Sequence, residues 1–271
     1  MQTPQISVLM GVYYRRGDTA LLRRSVESIL AQSFSDFELL ICDDGSSEAA
    51  RALLEEYAAR DARVRLIRPG GAQRLPVKLN ACLREARGEL IARMDDDDFS
   101  HADRFEKQRA ALLDRPEIAF VGCNVALCDA SGQLGTRRFP ERPEVRDFYM
   151  TQPYIHPALL FRRSALDAVG GYCEKPYCDL CEDYDLLLRL YARGFAGMNL
   201  QETLLDYTVP TVRGNRRMRH RWREVETRFL RYCELGVLGR ALPYVFKPIA
   251  VGLLPERALA RIKNRRDQIG T

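Results

Sequence analysis

The stretch Met94-Asp95-Asp96-Asp97-Asp98 sets four consecutive carboxylates directly after an apolar run, Leu90-Ile91-Ala92, that is interrupted at Arg93. Neighbouring carboxylates repel one another and lose hydration when buried, so such a run needs exposure, pairing with cations or a bound metal. The apolar run predicts a strand, and residues 103–108 predict a helix. Because ligands bind at the carboxyl ends of strands in open α/β sheets, the position favours Mg²⁺ or Mn²⁺ over the alternative, a solvated acidic loop.

Strands and helices alternate regularly through the first hundred residues. Buried strands are predicted at residues 6–10, 37–42, 64–67 and 90–94, with helices between them and a loop over 11–15. This alternation predicts an α/β fold with a parallel sheet and right-handed crossovers. Polar residues follow three of the strands, namely Tyr13, Asp43-Asp44 and the acidic run 95–98. The fold would bring all three groups to one edge of the sheet.

The second half of the chain has a more mixed pattern. A strand is predicted from residue 118 to 125, and a short helix ends at Gly170-Gly171. Glu182-Asp183 opens a strong amphipathic helix over residues 184–193, which Gly194 closes.

Charge is distributed unevenly along the 271 residues. The formal net charge is +5, yet the segment from Pro210 onward holds fifteen Lys and Arg against five Asp and Glu. That segment carries +10, which leaves −5 for the rest and suggests that the basic tail meets an anionic partner. No apolar window is long enough to span a membrane, and the first residues do not form a signal peptide. The sequence therefore predicts a cytosolic protein.

Eight cysteines in a cytosolic protein argue against a disulfide framework. Cys173, Cys178 and Cys181 form a C-x4-C-x2-C cluster, with Cys233 as a conceivable fourth ligand. A structural zinc site normally uses four ligands in paired short spacings, and this pattern is incomplete. We interpret the cluster as thiols that share a loop by chance.

Five segments in family order carry a resemblance to a known family. They are residues 6–13, 28–39, 43–46, 86–98 and 182–189, and they include Asp43-Asp44-Gly45-Ser46, the acidic run and Glu182-Asp183-Tyr184-Asp185. Over about residues 5–208 the chain resembles the glycosyltransferase family 2 sugar transferases, which have the GT-A fold. The resemblance implies a Rossmann-like, mostly parallel sheet flanked by helices. It also implies transfer of a sugar from a nucleotide diphosphate sugar to an acceptor hydroxyl, with inversion.

The resemblance assigns the donor side of the site residue by residue. Asp97 matches the metal ligand of the D-x-D motif, and the metal would neutralise the diphosphate leaving group. Asp95 would face the ribose or the waters of the metal. Asp96 is assigned to the same nucleotide-sugar site, although Asp96 and Asp98 have an equally good interpretation as exposed acids that add negative potential.

The nucleobase side of the site is assigned to residues near the first two strand ends. Asp44 would hydrogen-bond the base, with a helix N-cap as the alternative role. Tyr13 would pack on the base, with a place in the core as the alternative. Gly11 would allow close approach of the backbone.

The acceptor side is assigned to the start of the late helix. Asp183 is the candidate general base, since the positive end of the helix dipole would keep it ionised. The alternative is that Asp183 and Asp185 only stabilise the first helical turn. Glu182 and His156 are candidates for contacts with acceptor hydroxyls or for the floor of the site.

One position departs from the family pattern. Many relatives carry Tyr-x-x-His after the last strand, whereas this chain has Tyr207 followed by Pro210. His220 is a candidate substitute, the alternative being a metal with fewer protein ligands. The pair Arg221-Trp222 is similar to the Q-x-x-R-W motif of processive synthases, but Met218 stands where glutamine is needed, which argues against processivity.

The sequence pattern of the tail predicts a helix on the surface rather than a helix that spans a membrane. Apolar residues interleaved with Lys and Arg between 253 and 266 would form a basic amphipathic helix suited to an anionic membrane surface. The alternatives are packing on the catalytic body or a contact in a homodimer. No nucleic-acid-binding motif accompanies the charge, so we expect no nucleic-acid partner.

These observations predict a GT-A catalytic domain over residues 1–208, with a nucleotide-binding half (about 1–100) and an acceptor half (101–208). A basic helical extension follows over 209–271. The predicted enzyme is inverting, uses Mn²⁺ or Mg²⁺ and a UDP-sugar, and extends a cell-envelope or capsular glycan, or a lipid-linked one. The alternatives are a nucleotidyltransferase, which should carry a glycine-rich phosphate loop where residues 11–17 are aromatic and basic, and an inactive nucleotide-sugar-binding protein.

Overall fold

The computed structural model describes residues 3–15, 18–68, 70, 74–209 and 218–255. Its strands are β1 (Ile6–Val12), β2 (Phe37–Asp43), β3 (Val64–Ile67), β4 (Leu90–Met94), β5 (Phe99–Ser100), β6 (Ile118–Asp129), β7 (Gly132–Arg137), β8 (Leu160–Arg162) and β9 (Ala196–Thr208). Its α-helices are α1 (Ala20–Leu30), α2 (Glu48–Arg60), α3 (Leu75–Glu85), α4 (Arg104–Asp114), α5 (Arg163–Ala168), α6 (Glu182–Ala192), α7 (Met218–Glu234), α8 (Leu238–Val245) and α9 (Lys247–Leu253). Short 3-10 helices occupy Val145–Phe148, His156–Ala158 and Pro176–Cys178.

One sheet connects all of these strands in the order β3-β2-β1-β4-β8-β6-β9-β5, and β7 pairs with β6. The first four strands are mutually parallel, and β6 is parallel to β9. The short strand β8 runs antiparallel to both β4 and β6 and so joins the two parallel groups. The predicted α/β fold with a mostly parallel sheet is confirmed.

Two strands are longer than the sequence predicted. Gly11 and Val12 were assigned to a loop, but they belong to β1 because they pair with Cys42 and Asp43 of β2. Strand β6 continues to Asp129 instead of ending near residue 125, because it pairs with β7 on one side and β9 on the other. In both cases partner strands extend the element beyond its apolar run.

Helices cover both faces of the sheet. Apolar residues of α1, α2 and α4 pack on the face that contains Val8 and Met10 of β1. Residues of α3, α5 and α6 pack on the opposite face, which contains Leu9. This arrangement buries the sheet and leaves the carboxyl ends of β1, β2 and β4 at a common edge, where ligands bind in open α/β folds.

The helices after residue 217 pack on the catalytic body through buried polar contacts. Asp185 of α6 accepts a hydrogen bond from Arg189 at 2.7 Å and pairs with Arg231 of α7 at 3.2 Å. The hydroxyls of Tyr184 and Tyr232 lie 2.6 Å apart. Within the described part of the chain, none of the helices combines the length and the apolarity that a bilayer crossing requires. Most of the predicted amphipathic tail, from residue 256 onward, lies outside the described residues.

The close approach of the turn before β4 to β1 gives a stability prediction. A Cβ added at Gly88 would lie 2.7 Å from the backbone nitrogen of Ser7 and 2.9 Å from the backbone oxygen of Gln5. Because backbone atoms of a central strand cannot move aside, we expect Gly88→Ala to lower the free energy of unfolding by about 1–3 kcal/mol in urea titrations. Gly239→Ala is the control, since a Cβ there meets nothing within 4 Å. Equal stability of the two variants would contradict this packing.

Candidate active site

The acidic run, residues 95–98, lies at the carboxyl end of β4 and is held by its main chain. Its backbone carbonyls accept hydrogen bonds from the hydroxyls of Ser25 (2.7 Å), Tyr14 (3.1 Å) and Thr208. These donors come from α1, from the loop after β1 and from the end of β9. The backbone is therefore fixed from three directions, and the carboxylates are left to interact with one another and with a ligand.

Three carboxylates of the run have the arrangement of a cation site. Oxygen atoms of Asp95, Asp97 and Asp98 lie within 4.8 Å of one another. Asp98 is fully buried, its Oδ1 accepts the main-chain N–H of Thr208 at 2.8 Å, and its Oδ2 lacks a hydrogen-bond partner among the described residues. The interpretation of Asp98 as an exposed acid is therefore wrong. A buried carboxylate oxygen without a donor, beside two further carboxylates, fits a hard divalent cation.

When no cation is bound, burial and mutual repulsion raise the pKa values of the carboxyls in the acidic run. Burial, followed by the charges of Asp95 and Asp97, raises the pKa of Asp96 to about 7. Burial and the charge of Asp95 raise the pKa of Asp97 to about 6. Asp98 is affected in the same direction, and its pKa lies well above the ordinary value. Without added positive charge, Asp96 is therefore partly protonated near neutral pH, and Asp97 becomes mostly protonated only below about pH 6.

Arg93 supplies a permanent positive charge beneath the run. Its side chain is 1% exposed, pairs with Asp95 and donates to the main-chain oxygen of Met94. Although burial disfavours its charged form, the charge of Asp95 raises the pKa of Arg93, which stays ionised. Its charge also acts to lower the pKa of Asp96 and Glu182. Arg93 thus connects the acidic run with the start of α6.

Of the two carboxylates at the start of α6, Glu182 lies close enough to Arg93 for the charge of the guanidinium to act on it. Glu182 is buried, and burial followed by the charge of Asp183 raises its pKa to about 7. Asp183 is half-buried, accepts a hydrogen bond from Gln152 at 3.0 Å and accepts the N–H of Tyr184 at 2.7 Å. The charge of Asp95 raises the pKa of Glu182 as well, so the structure brings both predicted acidic groups together.

His156 lies beneath the site rather than at its opening. Its Nε2 is 2.9 Å from the hydroxyl of Tyr172, and both side chains are buried. Burial and the charge of Arg93 keep the pKa of His156 well below its ordinary value, so the ring is neutral. His156 is therefore buried within reach of the charge of Arg93, and the two roles that the sequence allowed, the floor of the site and contact with an acceptor, stay predictions.

Asp44 follows β2 and is not a helix cap. Ser47 caps α2 by accepting the N–H of Ala50, and Asp43 accepts the N–H of Ser46 at 3.1 Å. Asp44 is buried, and its Oδ2 has no hydrogen-bond partner among the described residues. A buried acceptor without a donor is the feature that hydrogen bonding to a nucleobase would satisfy.

Tyr13 stands beside a buried lysine. Its half-buried ring lies 5.2 Å from the guanidinium of Arg15 and 5.3 Å from the ammonium of Lys78, so it is not a core tyrosine. Lys78 donates to the main-chain oxygen of Val12 at 2.9 Å. Gly11 is approached by α3, because a Cβ there would lie 2.9 Å from Cδ1 of Leu75. A helix therefore approaches this glycine, and close approach of a nucleotide to its backbone stays a prediction.

Two further candidate metal-binding features remain, namely the substitute for the family histidine and the cysteine cluster. Pro210 lies outside the described residues, and His220 is half-buried on α7, where a role near the metal stays a prediction. Ligand atoms of Cys173, Cys178 and Asp185 lie within 4.8 Å of one another. However, that carboxylate is already paired with arginines of α6 and α7, so this trio falls short of a structural zinc site.

Sequence reasoning missed four residues of the site: Arg93, Lys78, Gln152 and Tyr172. Arg93 gave a signal, because an arginine inside a central strand has to meet buried carboxylates. Lys78 gave a weaker one, as a cation among the apolar residues of a predicted helix. Gln152 and Tyr172 lie outside every predicted element, and only the fold reveals them.

Comparison with solved structures defines the class. The fold is similar to the mannosyltransferase PcManGT from Pyrobaculum calidifontis, solved in complex with GDP-Man and Mn²⁺, with a TM-score of 0.64 and 17% identity. The superposition covers 97% of this chain and 80% of that chain. The protein thus has the GT-A fold of glycosyltransferases, as the sequence predicted.

Comparison of sequences defines the family. The model of the family described as Glycosyl transferase family 2 matches residues 7–170. EpsE of Bacillus subtilis, described as a glycosyltransferase, is 34% identical over 97% of this chain and 94% of its own length. The UDP-Gal:alpha-D-GlcNAc-diphosphoundecaprenol beta-1,3-galactosyltransferase of Escherichia coli is 26% identical over 79% of this chain and 78% of its own. The chain belongs to glycosyltransferase family 2, which sets aside the nucleotidyltransferase alternative.

The burial of Arg93 predicts a large loss of stability when its charge is removed. Arg93→Met would leave Asp95 and Glu182 in a buried site without their cation, and we expect the free energy of unfolding to fall by about 3–5 kcal/mol. Arg68→Met is the matched control, since Arg68 pairs with Glu55 at the surface and should contribute at most about 1 kcal/mol. Urea unfolding of both variants measures the difference, and a small loss for Arg93→Met would contradict its role.

Because the pKa of Asp97 is raised, we expect protons to compete with the metal for this carboxylate at a higher pH than for an ordinary aspartate. Carboxylates must lose their protons to bind a cation, and the pKa of Asp97 is about 6. We expect the affinity for Mn²⁺ to fall at least about fourfold between pH 7.5 and pH 5.5, since a proton then occupies most Asp97 side chains. Calorimetric titration of Mn²⁺ at the two pH values measures this. An affinity that is constant down to pH 5.5 would show that Asp97 is not a ligand.

Proposed function

We propose that the protein is an inverting, metal-dependent glycosyltransferase that moves a sugar from a UDP-sugar to an acceptor hydroxyl in cell-envelope or capsular polysaccharide synthesis. One observation carries this proposal: the acidic run and the carboxylates of α6 converge on Arg93 at the carboxyl edge of the sheet. A donor site and an acceptor site would then lie next to one buried cation. That is the arrangement in which an acceptor oxygen displaces a diphosphate in line.

The donor would occupy the edge between β1, β2 and β4. Asp44 would accept a hydrogen bond from the base, and Tyr13 would pack against it. Asp95 and Asp96 would face the ribose and the diphosphate. Asp97, together with Asp95 and Asp98, would hold Mn²⁺ or Mg²⁺. When bound, the metal supplies neutralising charge for the diphosphate leaving group.

The acceptor would lie against the start of α6. Asp183 takes the proton of the acceptor hydroxyl while that oxygen forms its bond to the anomeric carbon, and the bond to the diphosphate breaks on the opposite face. Gln152 holds the carboxylate in position. Glu182, whose pKa is about 7, carries a proton part of the time and is suited to donate a hydrogen bond to a neighbouring acceptor oxygen. His156 and Tyr172 form the floor.

The names of similar proteins support parts of this proposal. The galactosyltransferase of Escherichia coli is named for a UDP-sugar donor and a diphosphoundecaprenol-linked acceptor. The Pyrobaculum calidifontis structure contains GDP-Man with Mn²⁺. By analogy we propose a UDP-sugar as the donor and a lipid-linked glycan as the acceptor. The enzyme would work at the cytosolic face of the membrane. Residues 1–208 would carry out catalysis, and residues 209–271 would attach the protein to the membrane.

Titration of UDP and of GDP, with Mn²⁺ and with EDTA, tests the donor side. We expect Mn²⁺-dependent binding of UDP that Asp97→Ala abolishes, because the diphosphate then lacks its counter-charge. Asp183→Asn should bind UDP as the wild type does, yet lose at least about a hundredfold in kcat with a productive donor and acceptor, because the general base is missing.

Asp114→Ala, at an exposed acid on α4, is the control for the loss of a single negative charge. Absence of UDP binding with Mn²⁺ present would refute the donor and metal assignments. Full activity of Asp183→Asn would refute its role as the base. A protein that binds UDP in the same way but never turns over a donor would instead match the inactive binding protein.

A further inference from the structure

Exposed apolar side chains concentrate on the last three described helices. Twelve large apolar residues are exposed among the described residues, and eight of them lie between Met218 and Leu254. Trp222 is 56% exposed, and Leu253 is the most exposed of the set. Scattered apolar residues are normal on a protein surface, but a contiguous apolar patch marks a surface that meets a partner or a lipid.

Three aromatic side chains of this set share one groove. Trp222 and Phe229 are seven residues apart, two helical turns, so they lie on the same side of α7. Together with Phe246, which joins α8 to α9, they line an open groove of about 450 Å³. We call these three residues the apolar face. It is formed by side chains from two separate helical segments, so the packing of α8 and α9 on α7 creates it.

Two arginines, Arg219 and Arg223, line the groove beside the three rings, together with one acid, Glu226. Residues 218–255 contain seven Lys and Arg against three Glu, and Arg219 and Arg240 are exposed. The sequence that follows, residues 256–271, adds five more basic residues against two acidic ones. Exposed aromatic rings with arginines around them suit the boundary between water and an anionic lipid layer, where the rings enter the headgroup region and the cations meet lipid phosphates.

The apolar face is connected to the catalytic crevice. Arg223, on the same helix as Trp222, pairs with Asp179 at 3.0 Å, and Asp179 also accepts from Arg74 at the start of α3 at 2.7 Å. Asp179 precedes Glu182 by three residues. The first turns of α7 therefore lie beside the α6 side of the crevice, where the acceptor is proposed to bind.

We propose that the apolar face docks on the anionic phospholipid surface of a membrane. This surface differs from the predicted tail helix, because its aromatic residues lie on α7 and at the α8–α9 junction. The inference deepens the proposed function, on which its choice of a lipid-linked acceptor rests: docking would bring the α6 side of the crevice close to acceptors carried in the bilayer.

Trp222 makes the test direct, because it is the single tryptophan of the chain. Its fluorescence is recorded with phosphatidylcholine vesicles that contain or lack phosphatidylglycerol. We expect a blue shift of emission with the anionic vesicles, quenching by brominated acyl chains, at least about tenfold weaker binding without phosphatidylglycerol, and weakening by added salt. These readouts use the unmodified protein and need no knowledge of the donor or the acceptor.

A pair of variants separates this face from other surfaces. Phe229→Gln with Phe246→Gln should weaken sedimentation with anionic vesicles at least about tenfold, because two apolar anchors are removed. Leu113→Gln is the matched control, since Leu113 is 62% exposed on α4 and should leave vesicle binding unchanged. Titration of UDP with Mn²⁺ should give the same affinity for all of these proteins, and this shows that each variant is folded.

Several outcomes would overturn the proposal. If the protein sediments with the vesicles but the emission of Trp222 does not change, another segment, such as residues 256–271, binds the lipid. A blue shift that depends on protein concentration without lipid would assign the face to a second copy of the chain. No binding to vesicles, with UDP binding intact, would reject membrane docking and the proposed attachment through residues 209–271, and would leave the proposed sugar-transfer reaction standing. Loss of UDP binding in the wild type would instead reject the proposed function alone.

Discussion

A positive charge buried in the centre of the sheet constrains the whole site. Arg93 occupies a strand position between apolar neighbours, where an unpaired guanidinium would be very costly. The chain satisfies it with Asp95 directly beyond the strand end and with the main-chain oxygen of Met94, and its charge reaches Glu182 of α6. Each of these carboxylates is itself buried in part and depends on the cation in return. The positions of β4, the acidic run and α6 relative to one another therefore follow largely from this one charge.

The elements that form the nucleotide half could be predicted because their signals are local. The apolar runs of β1 to β4 and the glycine after α6 act within a few residues of the feature they determine. The acidic run could be placed at a strand end for the same reason. The different environments of its carboxylates could not be predicted, because Asp98 is bound by Thr208 of β9, 110 residues further along the chain.

The remaining site residues depend on contacts between distant segments. Lys78 reaches Tyr13 only because α3 crosses β1 at Gly11. Gln152 reaches Asp183 from a loop without a sequence signature. Strand ends were misplaced for a related reason, since pairing with β2 extends β1 through residues whose composition is typical of a loop. Strand ends and the contacts of these site residues therefore depend on pairing between distant segments, which the local composition does not reveal.

The pairing of Asp185 with both Arg189 and Arg231 has a consequence for how such chains can recombine. A boundary near residue 208 divides the sequence by composition, but this carboxylate has one cation on each side of that boundary. A chimaera that joins the catalytic body to the C-terminal helices of a relative would bury Asp185 with half of its neutralising charge, unless the incoming helix carried an arginine in register. The catalytic body and the C-terminal helices should therefore be inherited together. Substitutions in the C-terminal helices should be accompanied by compensating substitutions in α6.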